Sequence, residues 1–289
     1  MTAMQFDKPL PIGHWVSNGV NALTQSYGGV FDSISNTIQQ LIGALQSGLL
    51  WIPPAIFIVI VALLALLAFS PRKASGWGMA LFAIIGLALV WNLSYWHALI
   101  ETLALVLAAE FLVLIIGIPL GIASANSRMF ERMLRPVLDV MQTMPAFVYL
   151  VPAVIFFGLG LVPGVISTTI FALPPLIRLT ALGIRQVPGE LVEATHSFGA
   201  TSWQLLVKVQ LPSALPSIMA GINQSIMLGL SMVVISAMIG AGGLGNVVLQ
   251  GITQLDVGKG FVGGLCVVIL AVLLDRMTQA LGPTIKEKR

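Results

Sequence analysis

Charged side chains are scarce in this sequence: Asp, Glu, Lys and Arg make up 9% of 289 residues, against 57% hydrophobic. A soluble domain carries roughly a quarter charged residues, so no water-facing surface of ordinary size can be built from this composition. Cysteine occurs once, as Cys266 inside an apolar run, which excludes internal disulfides and cysteine-based metal sites and leaves a small packing residue. His14, His97 and His196 are far apart and no HExxH is present, so a bound metal is not expected. There is no GxxxxGK[ST] phosphate loop either, since Gly258-Lys259 lacks the earlier glycine, so the chain is not expected to hydrolyse ATP itself. The run Gly240-Ala241-Gly242-Gly243-Leu244-Gly245 matches GxGxxG in letters, but it follows an apolar helix rather than a strand and is expected to be a flexible outer turn. Before Trp15 no basic start leads into an apolar stretch, so no cleavable signal peptide is expected. A net charge of +3 and fourteen dispersed basic residues form no nucleic-acid patch.

What is present is apolar length. A helix crossing the hydrocarbon layer needs about 20 mainly apolar residues, and seven stretches qualify, near 49–69, 77–96, 99–124, 137–158, 162–182, 218–240 and 261–282. The chain is therefore expected to be an all-α polytopic membrane protein with its termini on opposite sides. Basic residues are retained on the cytoplasmic side. With the N-terminus outside, Arg72, Lys73, Arg128, Arg132, Arg135, Arg178, Arg185, Lys208, Arg276, Lys286, Lys288 and Arg289 all lie inside or near cytoplasmic helix ends, leaving Lys8 and Lys259 outside. Ahead of the first span, Phe31, Ile34, Ile38, Leu41, Ile42 and Leu45 recur at helical spacing. That pattern describes an amphipathic helix, either on the outer membrane surface or packed on neighbouring spans.

The longest interior connection, 183–217, falls on the cytoplasmic side. Within it Glu190 to Phe198 is expected to be a short helix, started after Pro188-Gly189 and stopped at Gly199. Thr201 or Ser202 then caps a second helix that ends before Pro212. The result is a protruding helix-turn-helix elbow.

The elbow carries Glu193-Ala194-Thr195, then Gly199, then Val209-Gln210-Leu211-Pro212. This spacing resembles the EAA loop of binding-protein-dependent ABC importer permeases, with Thr195 in place of a second Ala and Val209 in place of Ile. The resemblance implies a five-helix type I importer core and a coupling helix that docks on a cytoplasmic ATPase. A narrower likeness lies in Met141-Gln142-Thr143-Met144-Pro145-Ala146-Phe147-Val148-Tyr149-Leu150-Val151-Pro152, in Phe171-Ala172-Leu173-Pro174-Pro175-Leu176-Ile177-Arg178-Leu179-Thr180, and in Ser231-Met232-Val233-Val234-Ile235. These runs are similar to the osmoprotectant branch, which imports glycine betaine, proline betaine, choline or related compounds. The likeness covers about 98–282. It implies an external tail with the amphipathic helix in 1–48, two additional spans in 49–97, the permease core in 98–282 and a cytoplasmic tail in 283–289. It also implies a homodimer in the bacterial inner membrane, a separate ATPase carrying ATP and Mg, and an external substrate-binding protein, the glycine run near 240 lying close to that protein's dock.

Five prolines, Pro119, Pro145, Pro152, Pro174 and Pro175, lie inside spans. A proline there frees backbone carbonyls, which is tolerated in buried helices or beside wet cavities. Pro145, Pro174, Pro175 and Ser231, with Glu110, are the candidate pathway residues. Glu110 is the acidic residue well inside a span, and it either attracts a cationic solute or holds helices together. Asp139 and Asp275 are candidates to pair with Arg135 or Arg178. Gly117 with Gly121, and Gly160 with Gly164, have the spacing that allows close helix packing. An ion-coupled secondary transporter is the alternative, supported by Glu110 and the broken helices. Against it, a self-sufficient carrier has no use for the cytoplasmic loop.

Overall fold

A computed structural model describes residues 12–68 and 74–281. The terminal tail 283–289 and Arg72, Lys73, Lys8, Lys286, Lys288 and Arg289, on which part of the orientation argument rests, lie outside the described residues.

Among the described residues the chain is helical and contains no strand. Its helices are α1 (Ile12–Leu50), α2 (Pro54–Ala68), α3 (Ala74–Asn92), α4 (Trp96–Asn126), α5 (Arg128–Thr143), α6 (Leu150–Phe157), α7 (Leu161–Arg185), α8 (Gly189–Ser197), α9 (Ser202–Leu205), α10 (Leu211–Ala237), α11 (Gly243–Thr253) and α12 (Val257–Leu281). All seven apolar stretches fall on helices, but not on seven straight spans. Among the described residues four helices are long and apolar enough to cross a membrane, two bent pairs bring the number to six if each is one span, and the shorter apolar helix Gly76–Asn92 within α3 is the seventh candidate. The stretch 137–158 is divided where α5 gives way to a 3-10 turn at Ala146–Tyr149 and α6, with a bend of 112°. Pro145 explains the break, because the residue before a proline is driven out of the helical region and Met144 sits at ψ 135°.

The centre of the molecule is α4, α7 and α10 packed on one another. Lipid is as apolar as leucine, so burial alone does not hold spans together and close backbone approach matters more. At Gly121 on α4 an added Cβ would come within 2.5 Å of Thr180 Cβ on α7. At Gly183 on α7 it would come within 2.7 Å of Ser217 Cβ on α10. Gly164 likewise has Ala241 at 2.8 Å, whereas its spacing partner Gly160 sits in open space at φ +124° and serves a turn instead. Leu99, Ile100, Val106, Val113, Leu176 and Met232 fill the interior between these helices.

The outer elements are arranged around this centre. α2 and α3 form a hairpin laid against α12. α1 meets α2 at 97°, so it runs across the spans rather than along them. Ile38 and Ile42 on its apolar stripe are buried, and Phe31 stacks on Phe156 with ring centroids 4.8 Å apart. Packing on neighbouring helices is thus the alternative that holds for this part of the stripe. The glycine run after α10 is a tightly packed turn rather than a flexible one: Gly240, Gly242 and Gly243 take positive φ, and a Cβ at Gly243 would collide with Thr102. Glu101 accepts a hydrogen bond from Gly243 N–H at 2.9 Å, and Thr102 Oγ1 one from Leu244 N–H at 2.8 Å. Two side chains of α4 thereby satisfy otherwise free donors at the start of α11.

Candidate coupling elbow and transport pathway

The elbow of 183–217 forms where the sequence places it. α8 closes with paired hydrogen bonds, Gly199 N–H to His196 C=O at 2.9 Å and Ala200 N–H to Thr195 C=O at 3.3 Å. With Gly199 at φ +76° this is a Schellman motif. Thr201 then caps α9 reciprocally: Gln204 N–H donates to Thr201 Oγ1 at 3.3 Å and Thr201 N–H donates to Gln204 Oε1 at 2.9 Å. The helix expected to end before Pro212 does not end there; it continues from Ser202 to Ala237. Pro212 has no N–H to give and its ring would press on the carbonyl four residues back. A π-helical turn over Leu206–Gln210 resolves this, with Leu211 N–H reaching back to Leu206 C=O.

No residue of α8 is buried. Glu193, Ala194 and Gly199 are exposed and Thr195 is half-buried, while Val209 and Leu211 are half-buried where the elbow rejoins the core and Pro212 is exposed. Beside them stand two aromatics that the motif does not include, Phe198 at 92% exposure and Trp203 at 71%. Exposed aromatics on an element that projects beyond the spans mark a contact surface. The available signal was the presence of two aromatics flanking the motif glycine in a loop that otherwise has none from Glu190 to Pro212.

At the base of the elbow Arg185, the last residue of α7, donates to Glu131 in the first turn of α5 and to the carbonyl of Ser124 near the end of α4. The hydrogen bond from Arg185 holds the Glu131 carboxyl below its ordinary value of 4.5, helped by Arg135 and Arg128. Further along the same two helices Arg178 pairs with Asp139 at 2.5 Å. Asp275 instead accepts from Gln279 of its own helix at 2.7 Å. A cavity of about 330 Å³ lies between α5 and α7, lined by Arg135, Leu138 and Ala181 among others.

A second cavity, of about 480 Å³, is lined by Gln142, Pro175, Asn223, Gln224, Met227 and Asp275 with neighbouring residues. Asn223 Oδ1 is buried with no protein partner among the described residues, an acceptor left unsatisfied beside this cavity. Gln224, Met227 and Ser231 form an exposed stripe along α10, with Ser231 Oγ donating to Met227 C=O at 2.9 Å. The five candidate pathway residues therefore separate. Pro175 lines this cavity and Ser231 continues its wall. Pro174 is buried inside α7, and Pro145 is exposed at the α5–α6 bend. Glu110 is buried away from the cavity, accepting from Ser225 Oγ at 2.7 Å and so tying α4 to α10. That arrangement is the structural alternative for Glu110.

Two central spans, α7 and α10, run into one projecting elbow and also line a cavity together with α5 and α12, an arrangement that suits a membrane permease driven from outside itself. The chain belongs to the family described as binding-protein-dependent transport system inner membrane component, whose model matches residues 117–287. It is 50% identical over 283 residues to the glycine betaine/carnitine transport permease protein GbuB of Listeria monocytogenes, covering 96% of this chain and 98% of that one. It is 48% identical over 273 residues to the glycine betaine/proline betaine transport system permease protein ProW of Escherichia coli, covering 94% of this chain and 75% of that one. Among solved structures, a chain of the MetNI methionine ABC transporter in inward-facing conformations superposes with a TM-score of 0.56 at 25% identity, over 63% of this chain and 94% of that chain. The protein is thus a multi-pass inner-membrane permease subunit of an ABC importer, a transport subunit and not an enzyme. Its family works with an ATPase and a substrate-binding protein.

Proposed function

We propose that this chain imports glycine betaine or a related quaternary ammonium osmoprotectant, such as proline betaine, carnitine or choline, as one half of a homodimer. The elbow Glu193, Ala194, Thr195, Gly199, Val209, Leu211 and Pro212 docks on a cytoplasmic ATPase that binds ATP and Mg. The observation that carries the docking role is an elbow with no buried residue on α8 and two strongly exposed aromatics, Phe198 and Trp203, joined directly to α7 and α10, two of the four helices that line the cavity. Closure of the ATPases displaces α8, and the displacement enters α7 at one end of the elbow and α10 at the other. The cavity between these helices opens to alternate sides as a result. The substrate class is supported by the names of two relatives that match this chain over almost its whole length.

The exposed stripe of Gln224 and Ser231 on α10 supports the homodimer, because amide and hydroxyl groups at membrane depth face water or protein rather than lipid. Orientation follows from charge: among the described basic residues Arg128, Arg132, Arg135, Arg185 and Lys208 gather at the elbow end, whereas Lys259 stands with the opposite loops. The elbow end and the C-terminus are then cytoplasmic and the N-terminus external. The core comprises 98–282, with 1–48 and 49–97 as accessory elements.

Co-purification and uptake test this reading together. With the ATPase and binding protein co-expressed, deletion of residues 194–202 is expected to abolish ATPase recovery and betaine uptake while the spans stay inserted. Equal recovery and equal uptake without the loop would remove the docking role. Labelled glycine betaine that is neither taken up nor displaced by its analogues would remove the substrate assignment.

A further inference from the structure

α8 packs on α9 and buries nothing on the membrane core, so movement of α8 reaches the core mainly along the chain. On the α10 side the route is the capped α9 and the π-helical turn. On the α7 side it is Gln186, Val187 and Pro188, immediately after Arg185. Arg185 occupies a junction. Its two terminal nitrogens donate to different elements, Nη1 to Glu131 of α5 and Nη2 to Ser124 C=O of α4. Each partner suits its position: a cation ends α7, an acid begins α5, and a carbonyl near the end of α4 needs a donor. α4 and α5 are separated only by Ser127, whose Oγ accepts from Phe130 N–H at 3.2 Å. Three helix ends thus converge on one guanidinium.

The contact between α5 and α7 is not close-packed at this level. The cavity of about 330 Å³ separates them, with the Arg185–Glu131 pair at its rim and the Arg178–Asp139 pair further along. Both pairs are partly exposed, and a pair of that kind adds little to stability. A tether across a gap can still fix the relative position of two helices. α5 runs from Glu131 to Gln142, which lines the transport cavity.

Resting on the docking role of α8, we propose that Arg185 is the positioning residue that carries displacement of the coupling helix into α4 and α5, and through α5 into the cavity wall at Gln142. Without it, α8 moves α7 alone and α5 is left behind. The planar fork suits this role better than an ammonium, whose three donors sit on one freely rotating nitrogen and hold a carboxylate and a carbonyl on separate helices less rigidly.

The test uses the complete transporter, with ATPase and binding protein, in lipid vesicles, and reads ATP hydrolysed and betaine accumulated in the same preparation. Arg185→Ala is expected to retain ATPase co-purification and hydrolysis but to lower solute moved per ATP by about tenfold, with Arg185→Lys and Glu131→Gln intermediate. The exchanged pair Arg185→Glu with Glu131→Arg is expected to recover part of the ratio. A purely stabilising role would lower protein yield and leave that ratio unchanged. An unaltered ratio in Arg185→Ala, or an exchanged pair no better than either single change, overturns the proposal. So does loss of ATPase co-purification in Arg185→Ala, which would place the residue in the dock. Retention of the ATPase after loop deletion, by contrast, defeats the docking role itself.

Discussion

At Gly199 the backbone has φ +76°, and an added Cβ would meet nothing within 4 Å. The constraint is therefore conformational rather than steric. Asparagine and aspartate visit the left-handed region more readily than other residues, whereas a β-branched residue is strongly disfavoured there. Gly199→Asn is expected to keep most uptake and Gly199→Val to lose most of it, at similar membrane expression; parallel uptake and immunoblot measurements decide. Equal losses in the two variants would mean that the space around Gly199 is occupied in the assembled transporter. The same distinction applies to Glu110. An acid in a span suggested solute attraction or structure, and the hydrogen bond from Ser225, 115 positions away, supports the structural reading.

At the scale of the element, α8 and its turn were largely legible. Pro188-Gly189, Gly199 and Thr201 have local conformational preferences that act without help from the rest of the fold. The continuation through Pro212 was not legible. Proline read locally ends a helix, and here the widened turn at Leu206–Gln210 lets the chain pass. That outcome depends on Leu205 and Leu206 being buried against the core, which holds the helix on course. The aromatics on the elbow lead to a second expectation. Phe198→Ala and Trp203→Ala should each weaken ATPase association by about 2 kcal/mol if they fill pockets on the partner. A binding titration of detergent-solubilised permease against the ATPase measures it. Changes no larger than those of Glu190→Ala, which sits at the start of α8, would place the dock elsewhere on the elbow.

For the molecule as a whole, the expected topology puts α1 outside and α8 inside. Ser33 and Ser197 are both exposed, and Cys266 is fully buried. In a Cys266→Ala background, a cysteine at Ser33 should react with an impermeant reagent on intact cells, and one at Ser197 only after permeabilisation. Labelling of both from one side would refute the topology.

Low charge and apolar length by themselves determined that the chain lives in a membrane, because no packing can hide that much apolar surface from water in a single chain. The stops and caps from Pro188 to Thr201 by themselves marked the start of the elbow, because they are set by backbone geometry within a few residues, and the importer class came from the resemblance of Glu193 to Pro212 to a known family's loop. Only the tertiary structure decided that α1 lies across the spans and that Glu110 braces α4 against α10. It alone brought Arg185, Glu131 and Ser124 together. Those outcomes rest on contacts between residues tens of positions apart, and the periodicity of a single helix carries no information about which neighbour its faces will meet.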